Sequence, residues 1–250
     1  VTDYQHLHRR YEEQARWTSQ IRRRLYGRAG LTGRRGVLEV GCGTGAVCRE
    51  LPALTEGIVL GLDIDAAALG LASQDSPAIE FLVADGFHIP LADASMDAAL
   101  CHFLLLWVQD PLSILDEMAR VTRSGGSVMA LAEPDYGGRV DYPGVLQEMG
   151  ALQRQALRRR GADPLIGRRL RALFHETGLE GVYVGVLGGE WDDREEQDVF
   201  RSEWHTWRED MRDEMSESQI DAYRDGAERA WRSGGHILFV PTFYALGRVP

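Results

Sequence analysis

Between residues 36 and 132, short apolar runs alternate with stretches of helical periodicity. The runs at 36–40, 57–62, 79–84, 97–102 and 126–132 are nearly continuous, while 46–54, 66–72 and 111–122 carry apolar residues three and four apart. Continuous apolar strands separated by helices predict a parallel sheet covered on both faces. Ahead of it, Leu7, Tyr11, Ala15, Thr18, Ile21 and Leu25 fall at helical spacing and reach a stop signal at Gly27, which predicts one amphipathic helix.

After Glu133 the rhythm breaks into PDYGGRVDYPG, a Gly/Pro/Tyr loop followed by helical patterns at 145–160 and 165–176. A strand at 181–187, an acidic Trp-rich helical stretch at 194–232 and a last strand at 237–246 complete the chain. Two strands flanking a long helical insertion predict an antiparallel closing pair with a lid between them. The fold class expected is α/β, a doubly wound, mostly parallel seven-stranded sheet with helical caps. The expected organisation is an N-terminal cap over 1–35 and an α/β domain over 36–250, with insertions near 134–161 and 192–235.

Composition narrows the chemistry. All 28 basic residues are arginine, and the chain has no lysine and no asparagine. A lysine Schiff base, a phosphate-loop lysine and a Tyr/Lys dehydrogenase pair are therefore excluded. A GC-rich genome accounts for the bias as well as any function does. The net charge of −10 opposes phosphate backbones, so no nucleic-acid partner is expected. Cys42, Cys48 and Cys101 form no CxxC, and with seven scattered histidines they make neither a disulfide framework nor a metal site. The most apolar stretch, 98–108, is too short to span a bilayer, and the N-terminus reads as no signal peptide. A cytoplasmic protein without membrane attachment is expected; oligomeric state is not legible.

The strongest local signal is VLEVGCGTGAVCREL, residues 37–51, in which a strand runs through Gly41, Cys42, Gly43 and Gly45 into a helix. Glycines let a ligand approach the backbone, and a helix N-terminus beyond them offers free N–H groups. Gly41, Gly43 and Ala46 also satisfy the dinucleotide pattern GxGxxG/A, with Asp63 near the place of a ribose-binding acid. Glu39, two residues before the first glycine, discriminates: a carboxylate there suits an ammonium and repels a pyrophosphate.

Here the chain resembles the class I methyltransferases that use S-adenosylmethionine, whose first motif is hh[D/E]hGxGxG, over roughly residues 36–135. The resemblance implies a Rossmann-like sheet and a site for that cofactor, with S-adenosylhomocysteine as product. It implies that Asp63, in GLDID beside Ile64, accepts from the ribose hydroxyls. It implies that Asp85, in FLVADGFHIPL, accepts from the adenine amine with Gly86 and Phe87 flanking the ring. Asp65 reads better as a helix cap. Tyr11 and Trp17 fall where family members close over the cofactor, although helix packing explains them nearly as well.

Methyl transfer from a sulfonium needs alignment above all, and a base when the acceptor must lose a proton. His102, at the carboxyl end of the fourth strand, is the candidate base or a packing contact against the cofactor. Glu133 and Asp135, at the end of the fifth strand, are candidates to steer an amine or take a proton, with a bridge from Glu133 to a cap arginine as the alternative, and Tyr136 is a candidate contact for the substrate. Tyr142 is a further candidate contact, and Trp191, Trp204, Trp207 and Trp231 form a roof or pack the lid. The function expected is methylation of a small, hydrophobic or aromatic metabolite, with secondary metabolism as a setting. The rivals are a nicotinamide-dependent oxidoreductase, a protein that binds S-adenosylmethionine without transferring its methyl group, and a methyltransferase acting on a macromolecule.

Overall fold

A computed structural model of the chain describes residues 4–189 and 197–250. The alternation seen in the sequence becomes β1 (Gly36–Val40), β2 (Ile58–Asp63), α3 (Ala66–Asp75), β3 (Glu80–Val83), β4 (Met96–Cys101), α4 (Pro111–Val121) and β5 (Thr122–Pro134). These five strands pair in parallel, and β7 (Glu180–Leu187) and β9 (Thr242–Arg248) extend the sheet in the order β3-β2-β1-β4-β5-β9-β7. β9 runs antiparallel to both of its neighbours. The doubly wound, mostly parallel seven-stranded sheet expected from the sequence is the fold.

Each face has its own core, because successive strand residues point to opposite sides. Leu38 and Val40 pack with Leu115 and Met118 of α4 and with Leu170 and Phe174 of α6 (Ile166–Glu176). Val37, with Leu100 and Met129, packs on the other side with Leu25 and Tyr26 of α2 (Ser19–Ala29) and with Leu51. The same period puts Glu39 on the α2 face, among apolar neighbours.

Three elements differ from the sequence expectation. The N-terminal helix is two helices, α1 (Tyr4–Trp17) and α2, parted at Thr18, whose hydroxyl bonds back to the Gln14 carbonyl at 2.7 Å. Such i−4 back-bonding bends helices. α2 also runs past Gly27 and is closed at Gly30, in the left-handed conformation with φ of 67°. The helix expected at 46–54 is a six-residue 3-10 turn, Cys48–Ala53, because Pro52 lacks the N–H and Gly45, at φ 76°, sets the chain into a turn.

The strand expected at 237–246 divides at Pro241 into β8 (Ile237–Phe239) and β9. β8 pairs with β6 (Val140–Tyr142) as a separate two-stranded sheet. α5 (Gly144–Arg159), α7 (Gln197–Met211) and α8 (Glu217–Arg232) share a third core of Leu146, Met149, Trp204, Trp207 and Ile220. α5 carries this roof to the carboxyl end of the sheet, where its Leu157 shares a cavity with Leu106 and Tyr136. Among the described residues no helix is long and apolar enough to cross a membrane, and no group of three potential metal ligands occurs.

Candidate functional site

At the carboxyl edge, Glu39 of β1, Asp63 of β2 and Asp85 after β3 stand at successive strand ends, about 4.8 Å apart per strand in the sheet direction. The chain leaves β1 through a loop held by backbone bonds: Gly41 and Cys42 both donate to the Leu62 carbonyl, at 2.7 and 3.0 Å. Asp63 organises the rest, with Oδ2 accepting Gly43 N–H at 2.6 Å and Oδ1 accepting Asp65 N–H at 2.9 Å. Asp65 caps α3 by accepting from Ala67 and Ala68, which leaves Asp63 as the acid turned to the loop.

A cavity of about 390 Å³ lies over this loop, within the usual size for a cofactor or metabolite. Glu39, Gly41, Cys42, Gly43 and Asp63 form one wall, and Leu7, Arg10, Tyr11 and Gln14 of α1 form the cover. His102, Leu104, Leu106, Trp107, Pro134, Tyr136, Leu157 and Arg160 form the far wall, over β4 and β5. Both loop glycines are required. Gly41 (φ 71°) and Gly43 (φ 53°) are left-handed, and a Cβ on either would sit 2.7 Å from Leu104 or from the Tyr11 ring.

Glu39 is 2% exposed, and its Oε2 has no hydrogen-bond partner. Burial pushes its carboxyl up to about 8, against the opposing pull of the Cys48 thiol and the Arg22 guanidinium. An uncompensated carboxyl here is costly unless a cation meets it. Arg22 does not fill that role, since its Nε and Nη2 bond Glu50 at 2.5 and 3.2 Å, and Tyr26 donates to the same carboxylate at 2.9 Å.

His102 lies on the opposite wall, with Nε2 2.9 Å from the Thr18 hydroxyl and its ring edge-on to Phe103. Burial, with Arg22 nearby, depresses it to about 3, so it is neutral. Tyr136 also lines the cavity; burial pushes its phenol up to about 12.

Other residues singled out in the sequence stand off this cavity. Glu133 is fully buried and engaged by backbone: Leu104 and Leu105 donate to Oε1, each at 3.0 Å, and Leu106 donates to Oε2 at 3.2 Å. The arginine bridge expected at Glu133 belongs to Asp135, which takes Arg168 Nη2 at 2.8 Å. Gly45 faces Ala72 and Phe81, where a Cβ would crowd.

Trp17 is 52% exposed and meets the edge of Phe103. Ile64 and Asp85 are exposed on the rim, with Asp85 accepting Phe87 N–H at 3.0 Å, and Gly86 packs on Val40 and Ile114. Tyr142 is exposed, Trp204 and Trp207 are core residues of the roof, and Trp231 packs against that core. Trp191 lies outside the described residues. Sequence reasoning missed Arg10, Gln14, Arg22, Leu157 and Arg160. Only Arg22 left a signal, a charge on the apolar stripe of Thr18, Ile21 and Leu25.

Residues 38–130 match the sequence profile of a family described as a methyltransferase domain. The malonyl-[acyl-carrier protein] O-methyltransferase of Yersinia pestis is 37% identical over 93 residues, which cover 37% of this chain and 34% of that protein. The chain spans about a third to a half of the length of the first curated relatives it matches. Two solved structures share the fold. A Bacillus halodurans chain provisionally assigned as a methyltransferase aligns with a TM-score of 0.62 at 16% identity, covering 91% of this chain and 97% of that one. The phosphoethanolamine N-methyltransferase 2 of Haemonchus contortus, solved with phosphomonomethylethanolamine and S-adenosylhomocysteine, aligns at 0.60 and 13% identity, covering 96% and 57%. The glycine loop and the row of strand-end acids lie within the residues that match a methyltransferase domain, and the sheet order is that of the structural neighbours' fold, so the chain is similar to the class I methyltransferases over residues 38–130.

Proposed function

We propose that this chain transfers the methyl group of S-adenosylmethionine to a small acceptor held under the helical roof. The observation that carries the proposal is the Glu39 carboxyl, buried in the cavity wall beside Gly41 with Oε2 unpartnered. The cofactor's ammonium is the counter-charge that such a group lacks. The glycine cradle and the neighbouring Asp63 fit the same ligand. Each Asp63 oxygen spends one lone pair on a backbone N–H and keeps another for a ribose hydroxyl. Ile64 and Asp85, on the rim beyond Asp63, are proposed for the adenine.

S-adenosylmethionine supplies a sulfonium methyl: an acceptor lone pair forms the new bond as the C–S bond breaks and its electron pair returns to sulfur. The protein holds and aligns the reactants. Tyr11 and Gly43 close one end, and Leu106, Trp107, Leu157 and Tyr136 offer an apolar and aromatic bed for the acceptor at the other. This lining supports a hydrophobic or aromatic small molecule. His102, held neutral, is an acceptor of hydrogen bonds and a poor store for a proton. Three buried free thiols suit a reducing cytoplasm.

A nicotinamide dinucleotide is disfavoured. Glu39 opposes its diphosphate, and the loop leads into a 3-10 turn rather than an α-helix whose N-terminus would receive one. Calorimetric titration with S-adenosylmethionine and with NADH tests the cofactor, and a screen of small-molecule acceptors with labelled S-adenosylmethionine tests transfer. Saturable binding of the first ligand with labelled product is expected. Binding of NADH alone overturns the proposal; cofactor binding without transfer to any acceptor supports a non-methylating role.

A further inference from the structure

Thr18 stands at the break between α1 and α2, fully buried, and its one hydroxyl meets three groups. These are the Gln14 carbonyl at 2.7 Å, His102 Nε2 at 2.9 Å and Arg22 Nη1. A hydroxyl owns one hydrogen and two lone pairs. The carbonyl only accepts, and at 2.7 Å two oxygens without a hydrogen between them repel, so the hydrogen lies toward Gln14. The guanidinium only donates and takes one lone pair. What remains for His102 is the second lone pair, which requires a proton on Nε2.

We infer that Thr18 is a positioning residue that locks His102 as the Nε2–H tautomer, so that the lone pair of Nδ1 receives the O–H or N–H of the methyl acceptor. Among the described residues Nδ1 has no partner and is not a buried unpartnered atom, and the His102 ring lines the cavity, so this nitrogen is the one open to a ligand. Arg22 stiffens the arrangement. It is 2% exposed, fixed on Glu50, and puts a positive charge beside Thr18 that keeps the imidazole from taking a second proton. A neutral ring with Nδ1 free favours a nucleophile that still carries its proton. A carboxylate there would set lone pair against lone pair.

The assignment rests on the proposed methyl transfer only in having the acceptor beside His102; the tautomer itself requires neither cofactor nor acceptor. The test is long-range ¹H–¹⁵N spectroscopy of protein labelled at its histidines, with His102 assigned by loss of its signals in His102→Gln. The proton is expected on Nε2 in the wild type and in Thr18→Ser. In Thr18→Val the ratio should move at least about fivefold toward Nδ1–H, the equilibrium value of one ordinary hydrogen bond. A wild-type proton on Nδ1, or an unchanged ratio in Thr18→Val, overturns the inference. Should Thr18→Val fail to fold by circular dichroism, the wild-type and Thr18→Ser spectra still decide. Calorimetric S-adenosylmethionine binding, measured on the same samples, reports separately on the cofactor.

Discussion

The carboxyl group of Glu133, next to last in β5, accepts the backbone N–H of Leu105 at 3.0 Å, across from the neighbouring strand. The same side chain also holds Leu104 and Leu106, so one buried acid serves all three donors of the turn that shapes the far wall of the cavity. Glu133→Ala should strand these donors and cost about 3–5 kcal/mol, and Glu133→Gln, which keeps one acceptor oxygen, about 1–3 kcal/mol. Urea melts read both. A loss below about 0.5 kcal/mol in the alanine variant would remove the bracing role.

Glu39 and Glu133 both stand near 8 in the folded protein, raised from 4.5 by burial. Between those values the folded state binds protons that the unfolded state releases. The stability of the ligand-free protein should therefore fall as pH rises from about 5 to 8. The proposed pairing with the cofactor's ammonium requires Glu39 ionised, so the rise in Tm that S-adenosylmethionine causes should grow over the same interval. Thermal melts at stepped pH check both trends. Glu39→Gln should reduce the first slope and abolish the growth of the second, and an unchanged profile would detach Glu39 from the ligand.

At Gly43 the left-handed backbone and the Tyr11 ring leave no space for a Cβ. Gly43→Ala should cost about 1–2 kcal/mol in stability and weaken S-adenosylmethionine binding at least about tenfold. Adding Tyr11→Ala relieves the contact but not the backbone strain, so the double variant should recover part of the stability alone. Calorimetry and melts separate the two effects.

The Arg22–Glu50 pair joins α2 to the turn behind the glycine loop, with the guanidinium buried and Glu50 partly open to water. Removing one member of a buried pair leaves a charge uncompensated. Arg22→Met should destabilise by about 2–3 kcal/mol, and Arg22→Met with Glu50→Met by less. A double variant worse than the sum of the singles would show that the pair does not act as a unit.

Glu39 and the glycines were legible because their signals are local. An acid inside an apolar strand two residues before a glycine is an anomaly that a short window exposes. The strands of the sheet were legible for the same reason. Thr18 and His102 are 84 residues apart, and nothing in either neighbourhood marks the other. The bracing of the turn by Glu133 was not legible because its partners are backbone N–H groups, which every residue but proline carries. The helix read at 46–54 followed apolar spacing and underweighted Pro52; the strand read at 237–246 ran through Pro241, which cannot donate to a ladder.

The short ladder between Val140–Tyr142 and Ile237–Phe239 fastens the segment that leaves β5 ahead of α5 to the segment that leaves α8 ahead of β9. Neither segment can shift along the other by itself, because a slip of one residue on either side would turn the paired side chains over. The side chains lining the chamber can thereby be exchanged one at a time, while the helices above it are tied down as one piece.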